Sequence, residues 1–306
     1  MSALLEARGI RTGYGRLPVV FDIDLEVGEG EIVALLGANG AGKTTTLRAL
    51  SGMLPLHAGD IKLDGRSLKG RPPEKIAREG IVHVPQGRGI FPNLRVEETL
   101  RLAGAMAGLK RTDDRVDSMY GVFPRLHERR TQLAGTLSGG EQQMLAIARG
   151  LIMRPRVLLI DEMSQGLAPA IVDGLFDLVR SLPEQGVSVL IVEQFVTHAL
   201  GVASRAYVLE KGEVAYAGSA AELMQDEEFV RGSYLGDATA DTDDLADLPG
   251  NFTAEESPDE LLQAIEKRAA AEGREPGEVV MGLLREAMRE PAGSKTPSKN
   301  GDGGKP

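Results

Sequence analysis

Short, mostly apolar runs recur along the first two thirds of the chain, at residues 32–36, 81–84, 157–160 and 187–192. A run of this kind is typical of a strand that is buried on both faces of a sheet. Segments with apolar residues at helical spacing separate the runs, as at residues 45–53 and 171–182. This alternation predicts a mostly parallel sheet with helices packed on its faces.

Other segments alternate between apolar and polar residues. Residues 4–11, 21–27 and 60–63 do so, which indicates an antiparallel β layer beside the parallel sheet. Residues 205–217 predict two further strands around a Lys-Gly turn. Residues 96–154 contain no buried-strand run, and we expect them to form a separate helical lobe. The predicted fold class is therefore α/β, with an antiparallel β layer and a helical lobe.

Charge divides the chain into two parts. Residues 237–306 carry 16 acidic and 8 basic side chains, whereas residues 1–236 carry 29 acidic and 27 basic ones. We therefore expect a nearly neutral domain at 1–236 and an acidic linker at 237–257. A strongly acidic tail disfavours nucleic-acid binding, which depends on neutralising phosphates with Lys and Arg.

The end of the chain is predicted to form a small appendage. Residues 258–290 have apolar positions at helical spacing on both sides of a Gly-Arg-Glu-Pro break, which predicts a helical hairpin. We expect it to dimerise or to dock on a partner; a loosely folded tail without a role is the alternative. Residues 291–306 are rich in Gly, Ser, Lys and Pro and are expected to be disordered.

The composition excludes several kinds of site. The chain has no Cys, which excludes disulfides and thiolate chemistry, and its four His residues are too few and too scattered to suggest a zinc site. No apolar run approaches the ~20 residues of a membrane-spanning helix. The N-terminus has neither the basic start nor the apolar stretch of a signal peptide. We therefore expect a soluble, intracellular protein.

Residues 37–44, Gly-Ala-Asn-Gly-Ala-Gly-Lys-Thr, match the phosphate-loop pattern GxxxxGK[ST] at every fixed position. They follow a predicted strand and precede a predicted helix, as the motif requires. Glycines let backbone N–H groups turn toward a phosphate at a helix N-terminus, where the helix dipole favours an anion. Lys43 is predicted to reach the β- and γ-phosphates, and Thr44 to bind Mg²⁺. The predicted nucleotide contacts are Gly37, Ala38, Asn39, Gly40, Ala41, Gly42, Lys43, Thr44 and Thr45.

Two carboxylates, Asp161 and Glu162, directly follow the predicted strand at 157–160. Ligands bind at the carboxyl ends of strands in open α/β sheets. Asp161 is predicted to hold Mg²⁺ through water, and Glu162 to act as general base on the attacking water or to polarise it. Alone, such a pair commonly marks only a helix start; together with the phosphate loop it indicates a nucleoside triphosphate site.

A second anion-binding segment is predicted at Ser138, Gly139 and Gly140, just before a helix expected at 143–153. Ser138 would cap the helix, and the glycines would expose backbone N–H groups. Ser138 and Glu141 also have the spacing of an ordinary capping box, which would explain these two residues but not the glycine pair.

The Leu-Ser-Gly-Gly-Glu-Gln sequence at 137–142, between a phosphate loop and a strand-borne Asp-Glu pair, resembles the signature of ABC-type ATPases. The resemblance covers about residues 4–236. It implies the P-loop ATPase core, with ATP and Mg²⁺ bound in a head-to-tail dimer. In that dimer, Ser138-Gly139-Gly140 of one subunit contact the ATP on the other subunit's phosphate loop. Residues 164–167 occupy the place of the family's intersubunit loop.

The resemblance also assigns roles to single residues. Tyr14 matches the aromatic that stacks on adenine, although a lone Tyr after a strand is otherwise most often packing. Gln86 matches the glutamine that contacts Mg²⁺ and water and faces the membrane partner. Met163 stands where the family usually has Pro, and Gln194 replaces its switch histidine. Gln194 can hydrogen-bond the γ-phosphate but cannot titrate near neutral pH. His198, one helical turn later, is a disfavoured substitute.

Three short sequences resemble one subfamily: Val-Glu-Gln at 192–194, Gly-Leu-Ala-Pro at 166–169 and Val-Pro-Gln-Gly-Arg at 84–88. Its members power importers of branched-chain and other hydrophobic amino acids, and this chain is more similar to their shorter, second ATPase subunit. The resemblance implies catalytic roles for Glu162, Gln194 and Lys43 in ATP hydrolysis. It also implies that the dimer closes with ATP bound and that hydrolysis resets it.

The subfamily resemblance also implies the setting. The ATPase would act at the cytoplasmic face of the membrane with permease subunits, a second ATPase subunit and a solute-binding protein. Three alternatives stay open: an importer for amides or urea, a lipid or lipopolysaccharide exporter, and a soluble ABC ATPase acting on nucleic acid. The last class usually has two cassettes in one chain or a long coiled-coil insertion.

Overall fold

A computed structural model of the protein describes residues 3–108 and 112–226, together with Phe229. The chain divides into two units, Met1–Gly236 and Asp237–Pro306. The second unit lies outside the described residues. The predicted acidic linker, helical hairpin and disordered tail therefore stay predictions.

A six-stranded sheet lies at the centre of the described domain, in the order β10-β9-β3-β8-β7-β6. Strands β3, β6, β7, β8 and β9 are parallel to one another, and the edge strand β10 is antiparallel to β9. All four predicted buried strands are present in it, which confirms the α/β class. The strands are β3 Ile32–Gly37, β6 Ile81–Val84, β7 Val157–Asp161, β8 Ser188–Val192, β9 Arg205–Glu210 and β10 Glu213–Ser219.

A second, antiparallel sheet confirms the predicted β layer and has the order β2-β1-β4-β5. Its strands are β1 Ala3–Tyr14, β2 Leu17–Gly28, β4 Leu56–Leu63 and β5 Arg66–Ser67. Strand β5 was not predicted, because two exposed polar residues carry no apolar alternation.

Two apolar cores lie on opposite faces of the central sheet. Strand β3 shows the division: Ala34 and Leu36 pack in one core with the helices that follow β6, whereas Val33 and Leu35 pack in the other with β1, β2, β4 and α1. This is the alternation expected of a strand covered on both sides. The carboxyl ends of the neighbouring strands β3, β8, β7 and β6 meet at one edge of the sheet.

The described helices are α1 Lys43–Leu50, α2 Pro73–Glu79, α3 Val96–Met106, α4 Thr112–Val122, α5 Pro124–Glu128, α6 Gly139–Ile152, α7 Pro169–Ser181, α8 Val196–Val202 and α9 Ala220–Gln225. The helices predicted at 45–53 and 171–182 correspond to α1 and α7. Helices α3–α6 fall within residues 96–154, and the described part of that stretch contains no strand. None of the described helices is long and apolar enough to cross a membrane.

Helix α6 begins at Gly139, which confirms the predicted N-cap at Ser138, whereas the predicted helix start at residue 143 was wrong. Ser138 is the N-cap, with φ −61° and ψ 158°, and its hydroxyl accepts a hydrogen bond from the Glu141 N–H. The Glu141 carboxylate in turn accepts from the Ser138 N–H at 3.0 Å. Because this reciprocal capping box starts the helix, both glycines lie in its first turn.

Candidate nucleotide-binding site

A pocket of about 490 Å³ opens at the sheet edge where the parallel strands end. The phosphate loop follows β3, Gln86 follows β6, Glu162 follows β7 and Gln194 follows β8. The parallel order of these strands brings together residues that are up to 155 positions apart in the sequence, from Asn39 to Gln194. The pocket is lined by Tyr14, Val19, Asn39, Gly40, Gly42, Lys43, Thr44, Thr45, Gln86, Glu162, Gln165 and Gln194.

The phosphate loop curls around the Lys43 ammonium. Lys43 Nζ donates to the carbonyl oxygens of Gly37 at 2.7 Å and Ala38 at 3.1 Å, and the residue is only 7% exposed. The loop needs glycine at Gly37, whose φ is 142° and where a Cβ would lie 2.3 Å from the Leu209 carbonyl oxygen. Ala41, also predicted as a contact, is buried beneath the loop. The loop thus presents one positive charge and a helix N-terminus to the pocket.

Asp161 and Thr44 form a candidate Mg²⁺ site. Thr44 Oγ1 donates to Asp161 Oδ1 at 3.2 Å, and Asp161 Oδ2 is buried without a hydrogen-bond partner. Burial raises the pKa of Asp161 to about 6, and the nearby Glu162 charge adds to the rise, while the Thr44 hydrogen bond opposes it. A hydroxyl beside an unpartnered buried carboxylate oxygen fits a hard cation that takes oxygen ligands.

The rest of the coordination would come from outside the protein. Among the described residues, no group of three or more His, Cys, Asp or Glu side chains could hold a metal ion. A Mg²⁺ ion bound by one carboxylate and one hydroxyl completes its shell with phosphate oxygens and water. Thr44 and Asp161 therefore fit a nucleotide-bound Mg²⁺ better than a protein-only metal site.

Gln86 lies against the predicted general base. Its Nε2 donates to Glu162 Oε2 at 2.7 Å and to Gln165 Oε1 at 3.2 Å. Its predicted role as a Mg²⁺ ligand stays a prediction, since these bonds turn its amide nitrogen toward Glu162. Glu162 itself has φ 47°, uncommon for a residue with a side chain, and its N–H donates to the Val192 carbonyl oxygen at 2.9 Å. That hydrogen bond holds the backbone of Glu162, the predicted general base, at the end of β8.

Glu193 and Ser164 form a buried pair beside this site, which was not predicted from the sequence. Glu193 is 2% exposed and accepts hydrogen bonds from the Ser164 N–H at 3.2 Å, the Ser164 hydroxyl and the Gln194 N–H at 3.3 Å. Burial raises the pKa of Glu193 to about 7, the Glu162 charge adds to the rise, and the three hydrogen bonds oppose it. The pair joins the loop after Glu162 to the loop that carries Gln194.

His198 lies outside the pocket that Gln194 lines. Its Nε2 is 3.3 Å from Asp173 Oδ1 on α7, and its ring packs against Phe176 at a centroid distance of 5.1 Å. The structure therefore gives no support to His198 as a replacement for the switch residue, and the pocket has Gln194 in that place.

Tyr14 and Val19, from the N-terminal part of the chain, also line the pocket. The Tyr14 hydroxyl accepts a hydrogen bond from Arg48 Nη1 at 2.9 Å, and the Arg48 guanidinium carbon lies 6.0 Å from the ring centroid. Stacking of Tyr14 on adenine stays a prediction. Val19 and Gln165 also line the pocket and were not predicted to do so. Val19 lies in a segment without a distinctive motif, and Gln165 belongs to residues 164–167, to which the resemblance gave only a place between subunits.

Ser138, Gly139 and Gly140 do not line the pocket of their own chain. Both glycines are closely packed: a Cβ at Gly139 would lie 2.9 Å from Arg88 Nη2, and one at Gly140 would lie 2.8 Å from Ile171 Cγ2. Met163, where proline was expected by resemblance, is 1% exposed and packs in the core that contains α6 and α7. The departure at 163 is therefore absorbed by apolar packing.

Comparison with known proteins agrees with this geometry. The family described as ABC transporter matches residues 20–165. The chain is 44% identical over 227 residues to the high-affinity branched-chain amino acid transport ATP-binding protein BraG of Pseudomonas aeruginosa, across 74% of this chain and 97% of that protein. It is 37% identical to the probable branched-chain amino acid transport ATP-binding protein LivF of Archaeoglobus fulgidus, across 74% and 96%. The lipopolysaccharide export system ATP-binding protein LptB of Acidithiobacillus ferridurans is 38% identical, across 78% and 98%.

Solved structures share the fold. A structure described as the ATP-binding subunit of an ABC transporter superposes with a TM-score of 0.67 at 27% identity, across 76% of this chain and 98% of that one. An ABC-transporter cassette in its ADP conformation matches with a TM-score of 0.67 at 22% identity, across 77% and 100%. The likeness extends over nearly the whole of each relative and confirms the resemblance drawn from the sequence motifs. The chain belongs to the family of ATP-binding subunits of ABC transporters.

Proposed function

We propose that this chain binds and hydrolyses ATP to power an importer of branched-chain or other hydrophobic amino acids. One observation carries the ATPase part: a single pocket is lined by the phosphate loop, Thr44 and Glu162, and the Thr44 hydroxyl at its wall donates to Asp161, whose other carboxylate oxygen has no partner. The two relatives named for branched-chain amino acid transport support the solute class.

Binding is assigned to the phosphate loop and to the pocket residues Tyr14 and Val19. Backbone N–H groups at the start of α1 and the Lys43 ammonium would hold the β- and γ-phosphates. The adenine ring of ATP would lie against Tyr14 and Val19. Thr44 and Asp161 would hold Mg²⁺, which, when bound, neutralises charge on the phosphates. Asp161 is ionised above about pH 6, so it suits this role at neutral pH.

Hydrolysis is assigned to Glu162 and its neighbours. A water molecule attacks the γ-phosphorus, Glu162 accepts the proton, and the bond to the ADP oxygen breaks. Gln86, bonded to Glu162 at 2.7 Å, would orient that carboxylate. The Gln194 amide would donate a hydrogen bond to a γ-phosphate oxygen, and it does so without titrating near neutral pH.

A second ATPase subunit would complete the site. Ser138 is exposed and lies outside its own chain's pocket, so it is placed to contact another chain's nucleotide. Contacts that form only in the closed dimer would let ATP favour closure, because a ligand shifts a conformational equilibrium only by binding one state better. ABC ATPase subunits work with transmembrane permease components. We further propose attachment at the cytoplasmic face of the membrane and a solute-binding protein in the same system.

The first experiment measures Mg-ATP binding and hydrolysis by the full chain. Lys43→Ala should weaken binding by about tenfold or more, because it removes a charged hydrogen-bond donor. Glu162→Gln should still bind ATP but hydrolyse it about 100-fold more slowly, since it cannot accept a proton. Lys75→Ala, a change at an exposed lysine of α2, is the matched control. Hydrolysis by Lys43→Ala at the parent rate would disprove the assignment of the phosphate loop.

The second experiment tests the solute. Cells that lack the gene are given the parent gene, Lys43→Ala or Lys75→Ala, and uptake of labelled leucine is followed. Parent and Lys75→Ala should restore uptake, and Lys43→Ala should not. If leucine uptake does not depend on the gene while the purified chain hydrolyses ATP, the solute claim fails and amides and urea are the next candidates.

An exporter ATPase is the second candidate, supported by the lipopolysaccharide-export relative. Its 38% identity is below the 44% of the branched-chain relative, and Gln194 stands where that class keeps a switch histidine. ATP hydrolysis without gene-dependent uptake of any amino acid, amide or urea would favour it.

A further inference from the structure

The loop between β6 and α3 contains three consecutive residues in the left-handed region: Gly87 with φ 74°, Arg88 with φ 70° and Gly89 with φ 54°. Glycine adopts this conformation without penalty, but Arg88 has a Cβ and does not. A residue held in such a conformation persists when surrounding contacts determine it. The contacts of Arg88 therefore identify what holds this loop.

Arg88 is half-buried and its guanidinium lies on the first turn of α6. Nη1 donates to Gln142 Oε1 at 2.7 Å. Nη2 lies so close to Gly139 that a Cβ on that residue would be 2.9 Å away. A side chain at Gly139 would therefore displace the Arg88 guanidinium from its place on the first turn of α6.

Gln142, the partner of Arg88, is also hydrogen-bonded to the segment before Ser138. Its Nε2 lies within hydrogen-bond distance of three backbone carbonyl oxygens: Ala134 at 3.3 Å, Gly135 at 3.4 Å and Leu137 at 3.2 Å. Residues Ala134–Thr136 form a 3₁₀ turn that leads directly to the N-cap Ser138. One amide side chain therefore links Arg88 to the backbone that positions Ser138.

The same loop is tied to the nucleotide pocket at its other end. Gln86, two residues before Arg88, donates to Glu162 Oε2 at 2.7 Å. A second tie to α6 lies after Arg88, where Arg149 Nη1 donates to the Gly89 carbonyl oxygen. A short stretch of backbone thus joins the predicted general base to two points on α6.

We propose that Arg88 is a positioning residue that couples the state of this chain's nucleotide pocket to the placement of Ser138, which contacts the ATP of the second subunit. The inference rests on the proposed function, because it concerns the dimeric ATPase. Nucleotide binding changes what Gln86 and Glu162 contact. The tight turn at 87–89 passes the displacement to the Arg88 guanidinium, and Gln142 passes it to residues 134–138.

The test compares amide hydrogen exchange of residues 134–142 in the full chain without nucleotide and with Mg-ATPγS. In the parent chain, nucleotide should change the exchange rate of this segment. Arg88→Met keeps the side-chain length but removes the donors: it should bind nucleotide within twofold of the parent, lose the exchange response and lower kcat about tenfold with KM within twofold. Arg88→Lys keeps a charged donor and should recover part of the response.

Two further variants separate coupling from mere anchoring. Gln142→Leu should produce the same loss as Arg88→Met, and the double variant should add nothing, because both changes break one link. Arg101→Met, at an exposed arginine of α3 that pairs with Asp113, is the control and should leave the response intact. A parent-like response in Arg88→Met, or multiplying effects in the double variant, would overturn the proposal.

Failure of the proposed function would look different. If the parent chain binds no nucleotide, the ATPase assignment fails, but the nucleotide-free comparison still tests the link. In that state, residues 134–142 should exchange faster in Arg88→Met than in the parent. Equal rates would show that Arg88 does not hold the segment, and the proposal would fall on its own.

Discussion

The buried Glu193 offers a direct test of the electrostatics beside the site. Replacing Glu193 by Gln keeps its size and removes its charge. The parent carboxyl is 2% exposed, and burial raises its pKa from the usual 4.5 to about 7. A carboxyl with a raised pKa in the folded state contributes stability that is complete below pH 4.5 and is lost as the pH rises through 7.

The size of the effect follows from that pKa. At 1.36 kcal/mol for each pH unit, a rise from 4.5 to about 7 corresponds to about 3 kcal/mol of unfolding free energy lost across this range. Glutamine resembles the protonated carboxyl, since its amide can donate to the Ser164 hydroxyl. The amide nitrogen then replaces the oxygen that accepts from the Gln194 N–H at 3.3 Å, and this N–H loses its acceptor at a cost of about 1 kcal/mol.

Glu193→Gln should therefore be slightly less stable than the parent at pH 5 and about 2 kcal/mol more stable at pH 8. Urea unfolding of both proteins without nucleotide or Mg²⁺ at the two pH values measures the difference. Asp161, whose pKa is about 6, contributes equally to both proteins and cancels. The control is Glu213→Gln, at an exposed position of β10. A stability difference between Glu193→Gln and the parent that is the same at pH 5 and pH 8 would refute the reasoning.

Two other changes probe the signature segment and the backbone under the phosphate loop. Ser138→Arg should bind Mg-ATP like the parent, because Ser138 is outside its own pocket, yet lose most hydrolysis; full hydrolysis would contradict the shared site. Gly212→Ala should lower the unfolding free energy by about 3 kcal/mol or more, since its φ is 85° and the new Cβ would lie 2.1 Å from the Val19 carbonyl oxygen. Gly174→Ala, within α7 and with open space around it, should instead raise it by about 0.5–1 kcal/mol, as measured by urea unfolding; equal effects at the two glycines would show that the close contact is not the cause.

The parallel strands could be predicted because burial on both faces leaves an apolar run that needs no knowledge of partners. The Ile32–Gly37 and Val157–Asp161 strands are examples, and both carry motif residues at their carboxyl ends. Parallel pairing then places those ends side by side, so the joint position of Lys43, Thr44, Asp161 and Glu162 follows from topology.

Contacts between distant loops could not be predicted in the same way. Glu193 and Ser164 are 29 residues apart, and Arg88 and Gln142 are 54 residues apart. The local sequence does not distinguish a buried glutamate that accepts three hydrogen bonds from an exposed glutamate. The predicted start of α6 at residue 143 left out the two glycines, but the Ser138–Glu141 capping box outweighs the low helix propensity of glycine and begins the helix at Gly139.

The residues that line the pocket belong to different layers of the domain. Tyr14 and Val19 lie on β1 and β2 of the antiparallel sheet, whereas the phosphate loop and Glu162 follow strands of the parallel sheet. A nucleotide bound as proposed would contact both layers and would link them for as long as it is bound. At a free concentration 100 times its dissociation constant, such a ligand adds about 2.7 kcal/mol to the free energy of unfolding. The association between the two sheets would then be stabilised when ATP binds and weakened when the products leave, in each catalytic cycle.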